Sequence, residues 1–160
     1  MFTKEEILHY KELDLYSRSL ELVTRFFKGK KDKANVNYMN HLLRVSHDFN
    51  DDTIKSIALM HDVLEDTPIT KNDLLTLDYS KEFVETLEIL KNSYDTYEEY
   101  IDQLIKSGNS VALQVKLKDL LHNMDITRLN KVSTRDIIRS KKYIEAYWKI
   151  ITSLEGEELW

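Results

Sequence analysis

Glycine and proline are scarce in this chain, and their scarcity restricts its fold more than any other feature. The 160 residues include three glycines and one proline. Because turns between strands draw heavily on these residues, the composition argues against a turn-rich β protein. Apolar residues instead recur at the spacing of an α-helix along nearly the whole chain. We therefore predict an all-α fold, a compact bundle of about seven or eight helices.

Capping signals and a proline set the predicted helix boundaries. A Ser or Thr followed three positions later by an acid marks a helix start, and this pattern occurs at Thr3, Thr70, Thr96 and Ser133. Pro68 disfavours helical geometry in the residue before it and so ends a helix there. The predicted helices cover residues 3–28, 38–49, 52–66, 70–76, 80–91, 96–107, 110–125 and 133–154.

Length, composition and charge predict a single domain over residues 1–160. The absence of cysteine excludes disulfides and thiolate metal sites and fits a cytoplasmic protein. The N-terminus lacks the basic-then-apolar pattern of a signal peptide, and no apolar run approaches the roughly 20 residues of a membrane span. The net charge of −5 argues against a broad electrostatic contact with nucleic acid. We therefore predict neither a membrane nor a nucleic-acid partner, and we make no prediction of oligomeric state.

The stretch HDVLEDT, residues 61–67, carries the strongest chemical signal. His61 and Asp62 are adjacent, and Glu65 and Asp66 follow one helical turn later. Residues four apart share a helix face, so each acid lies above one member of the His-Asp pair. His61 also falls on the apolar stripe of this helix, and an inward-facing imidazole beside acids is costly unless a partner satisfies it. A divalent metal ion is the simplest such partner.

Two further helices supply matching donors. His41 borders the buried stripe of the helix predicted at 38–49. Asp119 lies on a narrow polar seam of the mostly apolar helix predicted at 110–125. Two imidazoles and two carboxylates suit Mn²⁺, Fe²⁺ or Zn²⁺ better than Ca²⁺ or Cu⁺. The four candidate metal ligands are His41, His61, Asp62 and Asp119.

Each of these residues also has a purely structural interpretation, because a single inward histidine is more often a satisfied core residue than a ligand. A second His-Asp pair, His47-Asp48, provides a comparison. It lacks the following acids and falls on a polar stripe, so we predict that it lies on the surface. We also expect His9 and His122 to be structural or exposed, although His122 lies close to the polar seam. The joint pattern on three helices favours the metal site.

The order of the candidate ligands resembles that of the HD superfamily of metal-dependent phosphohydrolases, in which the motif reads H…HD…D. The segments ALMHDVLEDT and KLKDLLHNM are similar to the two signatures of the hydrolase domain in RelA/SpoT enzymes and small alarmone hydrolases. The resemblance covers about residues 20–130, followed by the predicted C-terminal helix at 133–154. It implies an HD-domain helical bundle that holds one divalent metal ion, with Mn²⁺ favoured and Fe²⁺ or Zn²⁺ as alternatives.

The resemblance also implies roles for residues beside the metal ligands. Glu65 and Asp66 match the acidic pair that acts on the attacking water. Asn123 matches a residue that contacts the nucleotide, and Lys116 matches the lysine that opens the second signature. Arg128 follows closely enough to reach a phosphate. Members of this branch remove pyrophosphate from the 3′ position of guanosine tetra- or pentaphosphate (ppGpp or pppGpp).

Departures from the family pattern keep three functions open. Leu42 stands where the family usually has a proline, and a lysine-rich loop at residues 28–35 replaces an arginine that packs on guanine. Lysine does not stack as a planar guanidinium does. Our first prediction is a nucleotide phosphohydrolase of the ppGpp 3′-pyrophosphohydrolase type. The alternatives are an HD phosphohydrolase acting on another nucleotide or a phosphomonoester, and a non-catalytic nucleotide-binding regulatory module.

Overall fold

A computed structural model describes residues 2–155, and within this range the chain forms ten α-helices and one 3₁₀ turn. The helices are α1 (Lys4–Glu12), α2 (Leu15–Phe26), α3 (Met39–Ser46), α4 (Asp52–Met60), α5 (Val63–Asp66), α6 (Lys71–Thr76), α7 (Lys81–Leu90), α8 (Tyr97–Lys106), α9 (Ser110–Met124) and α10 (Thr134–Glu155), and the 3₁₀ turn is Ile126–Arg128. The predicted all-α fold is confirmed. The predicted domain includes residue 1 and residues 156–160, which lie outside the described residues.

The helix predicted over residues 3–28 is divided into α1 and α2. Leu13 and Asp14 have extended backbone, and the Asp14 carboxylate accepts a hydrogen bond from the N–H three residues later, which caps the start of α2. The buried Arg18 guanidinium donates to the carbonyls of Tyr10 at 2.8 Å and Leu13 at 3.0 Å, near the end of α1. The apolar spacing continues across this break, so periodicity alone did not reveal it.

The helix predicted over residues 52–66 is also divided, and the break falls on the His-Asp pair. Helix α4 ends at Met60 and α5 begins at Val63, with His61 and Asp62 in the turn between them. The Asp62 carbonyl accepts the first backbone hydrogen bonds of α5. The turn brings the two side chains against His41 of α3 and, for His61, against Asp119 of α9.

Helices α4 and α9 form the centre of the bundle. Helix α4 packs against α2, α3, α7 and α9, and α9 also packs against α3, α7, α8 and α10. Both carry side chains without exposed surface, among them Leu59 and Leu120. Burying a leucine of this kind stabilises the fold by about 1.5–3 kcal/mol. The core therefore fixes the positions of the turn after α4 and of α9, which carry three of the four candidate ligands. Within the described residues, no helix has the length and apolar character needed to cross a membrane.

Candidate metal centre and cavity

The four predicted metal ligands meet where α3, the α4–α5 turn and α9 come together. His41 Nε2 lies 3.2 Å from His61 Nε2. Asp62 Oδ2 lies 3.2 Å from His61 Nε2 and 3.7 Å from His41 Nε2. Asp119 Oδ1 lies 3.4 Å from His41 Nε2 and 3.7 Å from His61 Nε2. The structure thus brings together donors from three separate segments of the chain.

Hydrogen bonds hold the outer sides of the His-Asp pair. His61 Nδ1 lies 2.7 Å from the carbonyl oxygen of Ala58. Because a carbonyl oxygen only accepts, His61 Nδ1 carries a proton, and the ring presents a lone pair at Nε2 whenever it is neutral. The Tyr38 hydroxyl donates to Asp62 Oδ2 at 2.5 Å. Such outer contacts orient ligands in metal sites.

Asp119 is held on both of its carboxylate oxygens by neighbours on α9. Asn123 Nδ2 donates to Oδ1 at 2.5 Å, and Lys116 Nζ donates to Oδ2 at 2.9 Å. Burial alone would raise the pKa of Asp119, but Lys116 and the two nearby imidazoles hold this pKa well below its usual range. The carboxylate therefore remains ionised although it is buried.

The charges of the cluster fit a bound cation. Burial by itself lowers the pKa of His61, but Asp62 and Asp119 outweigh this effect and raise the pKa well above its ordinary value. Burial raises the pKa of Asp62, but the imidazolium of His61 lowers it to about 2. The metal-free cluster thus retains a proton at the point where nitrogen and carboxylate donors meet. A divalent cation would replace that proton, and this mixed nitrogen and oxygen donor set suits Mn²⁺, Fe²⁺ or Zn²⁺.

A cavity of about 530 Å³ opens beside the cluster, and His41, Asp62 and Asp119 form part of its wall. This volume is typical of pockets for small-molecule ligands. The other residues predicted to act in catalysis or substrate binding line the same cavity: Glu65, Asp66, Lys116, Asn123 and Arg128. All of the predicted site residues except His61 therefore line one cavity, and the individual role of each residue remains a prediction.

Glu65 and Asp66 have different surroundings within this cavity. Burial raises the pKa of Glu65, whose Oε2 accepts a hydrogen bond from the backbone N–H of Asn92 at 3.1 Å. Asp66 Oδ2 instead forms an ion pair with Lys30 Nζ at 2.7 Å. A general base works best with a pKa close to the operating pH. Glu65 is therefore the stronger candidate for accepting a proton from water.

The three predicted substrate-binding residues already have partners in the protein. Lys116 and Asn123 hold Asp119, as described above. Arg128 Nη1 donates to the buried carboxylate of Asp32, while Arg128 Nε has no hydrogen-bond partner among the described residues. Asp32 also accepts two N–H groups from its own loop between α2 and α3. The Arg128–Asp32 ion pair therefore links this lysine-bearing loop to the 3₁₀ turn, and the Nε donor of Arg128 stays unpaired among the described residues.

Two residues that contact the ligands were not assigned to the site from the sequence. Tyr38 belongs to the buried stripe of the helix predicted at 38–49 and has no predicted role in the site, and His122 was expected to be structural or exposed. His122 is partly buried, and its Nδ1 lies 2.7 Å from His41 Nδ1. Burial, with His41 and Arg128 nearby, lowers the pKa of His122 to about 4. Helical spacing was the available signal, because each residue lies three positions from a candidate ligand.

The C-terminal helix α10 supplies part of the cavity wall, which the sequence did not predict. Lys142 and Tyr143 line the cavity, and Lys142 Nζ lies 4.3 Å from the centre of the Tyr97 ring. Neither Lys142 nor Lys33, from the loop before α3, forms an ion pair with another described residue. Burial and neighbouring cations lower the pKa of both lysines.

The comparison pair His47-Asp48 lies on the surface, as predicted. Both side chains are exposed, and Asp48 forms an ion pair with Lys118 at 2.7 Å. The two His-Asp pairs therefore differ in burial and in partners, which supports the use of joint patterns over single dipeptides.

No family model and no curated protein matches this sequence. Among solved structures, the chain is similar to one described as "A metazoan ortholog of SpoT hydrolyzes ppGpp and plays a role in starvation responses". The two share 20% sequence identity and superpose with a TM-score of 0.71, over 90% of this chain and 87% of the other. This agreement over nearly the full length shows that the two chains share one all-helical fold.

Proposed function

We propose that this chain is a metal-dependent phosphohydrolase that removes pyrophosphate from the 3′ position of a nucleotide such as ppGpp. The convergence of His41, His61, Asp62 and Asp119 beside a cavity lined by cations carries the proposal. The fold shared with a protein described as hydrolysing ppGpp adds support for this substrate class. Mn²⁺ is the proposed metal, with Fe²⁺ and Zn²⁺ as alternatives, and the cytoplasm is the proposed location.

The charge of the cavity wall supports an anionic substrate. Six cationic side chains line the cavity: Lys30, Lys31, Lys33, Lys116, Arg128 and Lys142. Lys33 and Lys142 are exposed side chains at the cavity wall, near other cations and without an ion pair among the described residues. Their mutual repulsion would be relieved by phosphate groups, which form charge-assisted hydrogen bonds with such donors. A substrate with more than one phosphate group would engage both sides of the cavity.

The chain itself would bind and orient the substrate and move a proton. A divalent cation, when bound, supplies Lewis acidity, which polarises a phosphoryl oxygen and eases deprotonation of water. Glu65 would accept a proton as the water oxygen bonds to phosphorus and the bond between phosphorus and the 3′ oxygen breaks. The 3′ oxygen takes up a proton from solvent, so that the products are the 3′ hydroxyl and pyrophosphate. The cationic side chains offset negative charge on the phosphoryl oxygens. Asp66 holds Lys30 at the cavity wall through their 2.7 Å ion pair.

One observation favours another nucleotide or a phosphomonoester as the substrate. The family residue that stacks on guanine is an arginine, and the candidate replacement Lys30 is already engaged. Its Nζ bonds Asp66 and lies 4.5 Å from the centre of the Tyr38 ring. Lysine also lacks the planar face that an arginine presents to a base. Recognition of guanine by this loop would therefore need a different contact.

A substrate panel with Mn²⁺ tests the proposal. Purified protein would be assayed with 3′-pyrophosphorylated, 5′-phosphorylated and cyclic nucleotides, and inorganic products would be quantified. We expect turnover of the 3′-pyrophosphates. Turnover of only the other phosphates would establish the second function, and saturable nucleotide binding without turnover would establish the regulatory module.

A further inference from the structure

The imidazoles of His41 and His122 face each other through their Nδ1 atoms at 2.7 Å. Their ring centres lie 4.8 Å apart, and the rings are inclined by 47°. His122 lies on α9, three positions after Asp119, so this contact joins α3 to the helix that carries another candidate ligand. His122 itself is not among the residues that line the cavity.

A hydrogen bond between two Nδ1 atoms contains one proton, which belongs to one ring or the other. On its opposite edge, His41 presents Nε2 to the cluster, at 3.2 Å from His61 Nε2 and 3.4 Å from Asp119 Oδ1. A neutral His41 offers a lone pair at Nε2 only when its proton is on Nδ1. In that state His122 Nδ1 accepts the hydrogen bond.

His61 and His41 each need a proton on Nδ1 to offer a lone pair at Nε2, and different partners contact the two Nδ1 atoms. The Ala58 carbonyl accepts from His61 Nδ1 and can adopt no other role. Among the described residues, His122 provides the only hydrogen bond to His41 Nδ1, and an imidazole can donate or accept. The tautomer of His41 therefore depends on that of His122.

We propose that His122 is a positioning residue that accepts the Nδ1 proton of His41 and so keeps His41 Nε2 free to bind the metal ion. This inference rests on the metal centre of the proposed function and adds a residue to it. Removal of such an outer partner typically weakens metal binding by about 10- to 100-fold. The expected consequence is a lower metal affinity rather than a direct loss of substrate contact.

Two variants of matched shape separate the acceptor from simple packing. Asparagine at position 122 can present its side-chain oxygen where the histidine has Nδ1, whereas leucine has the same branching without an acceptor. Titration calorimetry of metal-free protein with Mn²⁺ should show affinity weakened by about 10- to 100-fold in His122→Leu and largely retained in His122→Asn. His9→Leu serves as a control, because exposed His9 contacts Glu21 on the surface and should leave the affinity unchanged.

Nitrogen-15 NMR of the parent protein with diamagnetic Zn²⁺ gives a second readout that needs no variant. We expect a protonated Nδ1 on His41 and an unprotonated Nδ1 on His122; the reverse assignment would overturn the inference. Equal Mn²⁺ affinity in His122→Leu and the parent, or equal losses in both variants, would also overturn it. A parent that binds Mn²⁺ but hydrolyses no nucleotide would refute the proposed function and leave this comparison of affinities valid.

Discussion

The buried pair of Lys116 and Asp119 allows the effect of one substitution to be worked out from its surroundings. Lys116→Met keeps an unbranched side chain but removes the ammonium group 2.9 Å from Asp119 Oδ2. The two side chains are only 13% and 9% exposed. Removing one partner of a buried pair costs about 3–5 kcal/mol, because the other charge is left uncompensated. Asn123 still donates to Asp119, so we expect a loss of about 3 kcal/mol, at the low end of this range.

The same helix offers a matched control in Lys118. Its Nζ lies 2.7 Å from Asp48, but these side chains are 36% and 44% exposed. Exposed ion pairs contribute about 0–1 kcal/mol. Lys118→Met should therefore lower the free energy of unfolding by roughly 2 kcal/mol less than Lys116→Met does.

Urea unfolding of metal-free protein, followed by circular dichroism and linear extrapolation, measures both free energies of unfolding. A second step isolates the cause: if the uncompensated Asp119 charge is responsible, the double variant K116M/D119N should be more stable than K116M. Equal losses in the two single variants would refute the reasoning that burial decides the cost. A double variant less stable than K116M would refute the assignment of that cost to Asp119.

Three further predictions concern pH, catalysis and the core. The metal-free protein should lose stability as pH rises above about 6.5, because the raised pKa of His61 stabilises the fold only while the imidazole is protonated. Unfolding at a series of pH values with EDTA checks this, and a stability that is independent of pH over that range would contradict it. Glu65→Gln should lower kcat by roughly 10²- to 10⁴-fold and preserve Mn²⁺ affinity, whereas Asp66→Asn should have a smaller effect on kcat; steady-state kinetics with calorimetry would reveal the opposite ranking. Arg18→Met should reduce the free energy of unfolding by about 3 kcal/mol, since the guanidinium donates to the carbonyls of Tyr10, Leu13 and Asp78; a loss below that of Lys118→Met in the same urea assay would show that these bonds contribute little.

The fold class was predictable because helix formation follows from short-range pattern, and the meeting of the four donors was predictable from their joint occurrence on three helices. Apolar spacing and capping boxes predicted the helices, and the structure contains the predicted boxes at Thr3, Thr70 and Thr96. The joint occurrence of donors on three helices predicted their convergence, although no single residue did. His47-Asp48 shows why the joint pattern was needed, because the same dipeptide lies exposed there.

The features missed from the sequence depend on contacts between distant segments. At the break between α1 and α2, Arg18 donates hydrogen bonds to three backbone carbonyls. The spacing of apolar residues does not predict these acceptors. The role of Arg128 as a clamp depends on Asp32, which lies 96 positions away. Lys142 reaches the cavity because α10 packs against α8 and α9. Tertiary packing, which the sequence pattern does not give, decides which face of α10 points toward the cavity.

Anomalous diffraction at the manganese absorption edge, from crystals grown with Mn²⁺, tests the central claim most directly. We predict one strong peak within direct coordination distance of His41 Nε2, His61 Nε2, Asp62 Oδ2 and Asp119 Oδ1. The absence of a peak among these four atoms at saturating Mn²⁺, or a peak elsewhere in the protein, would contradict the assignment of this cluster as a metal centre.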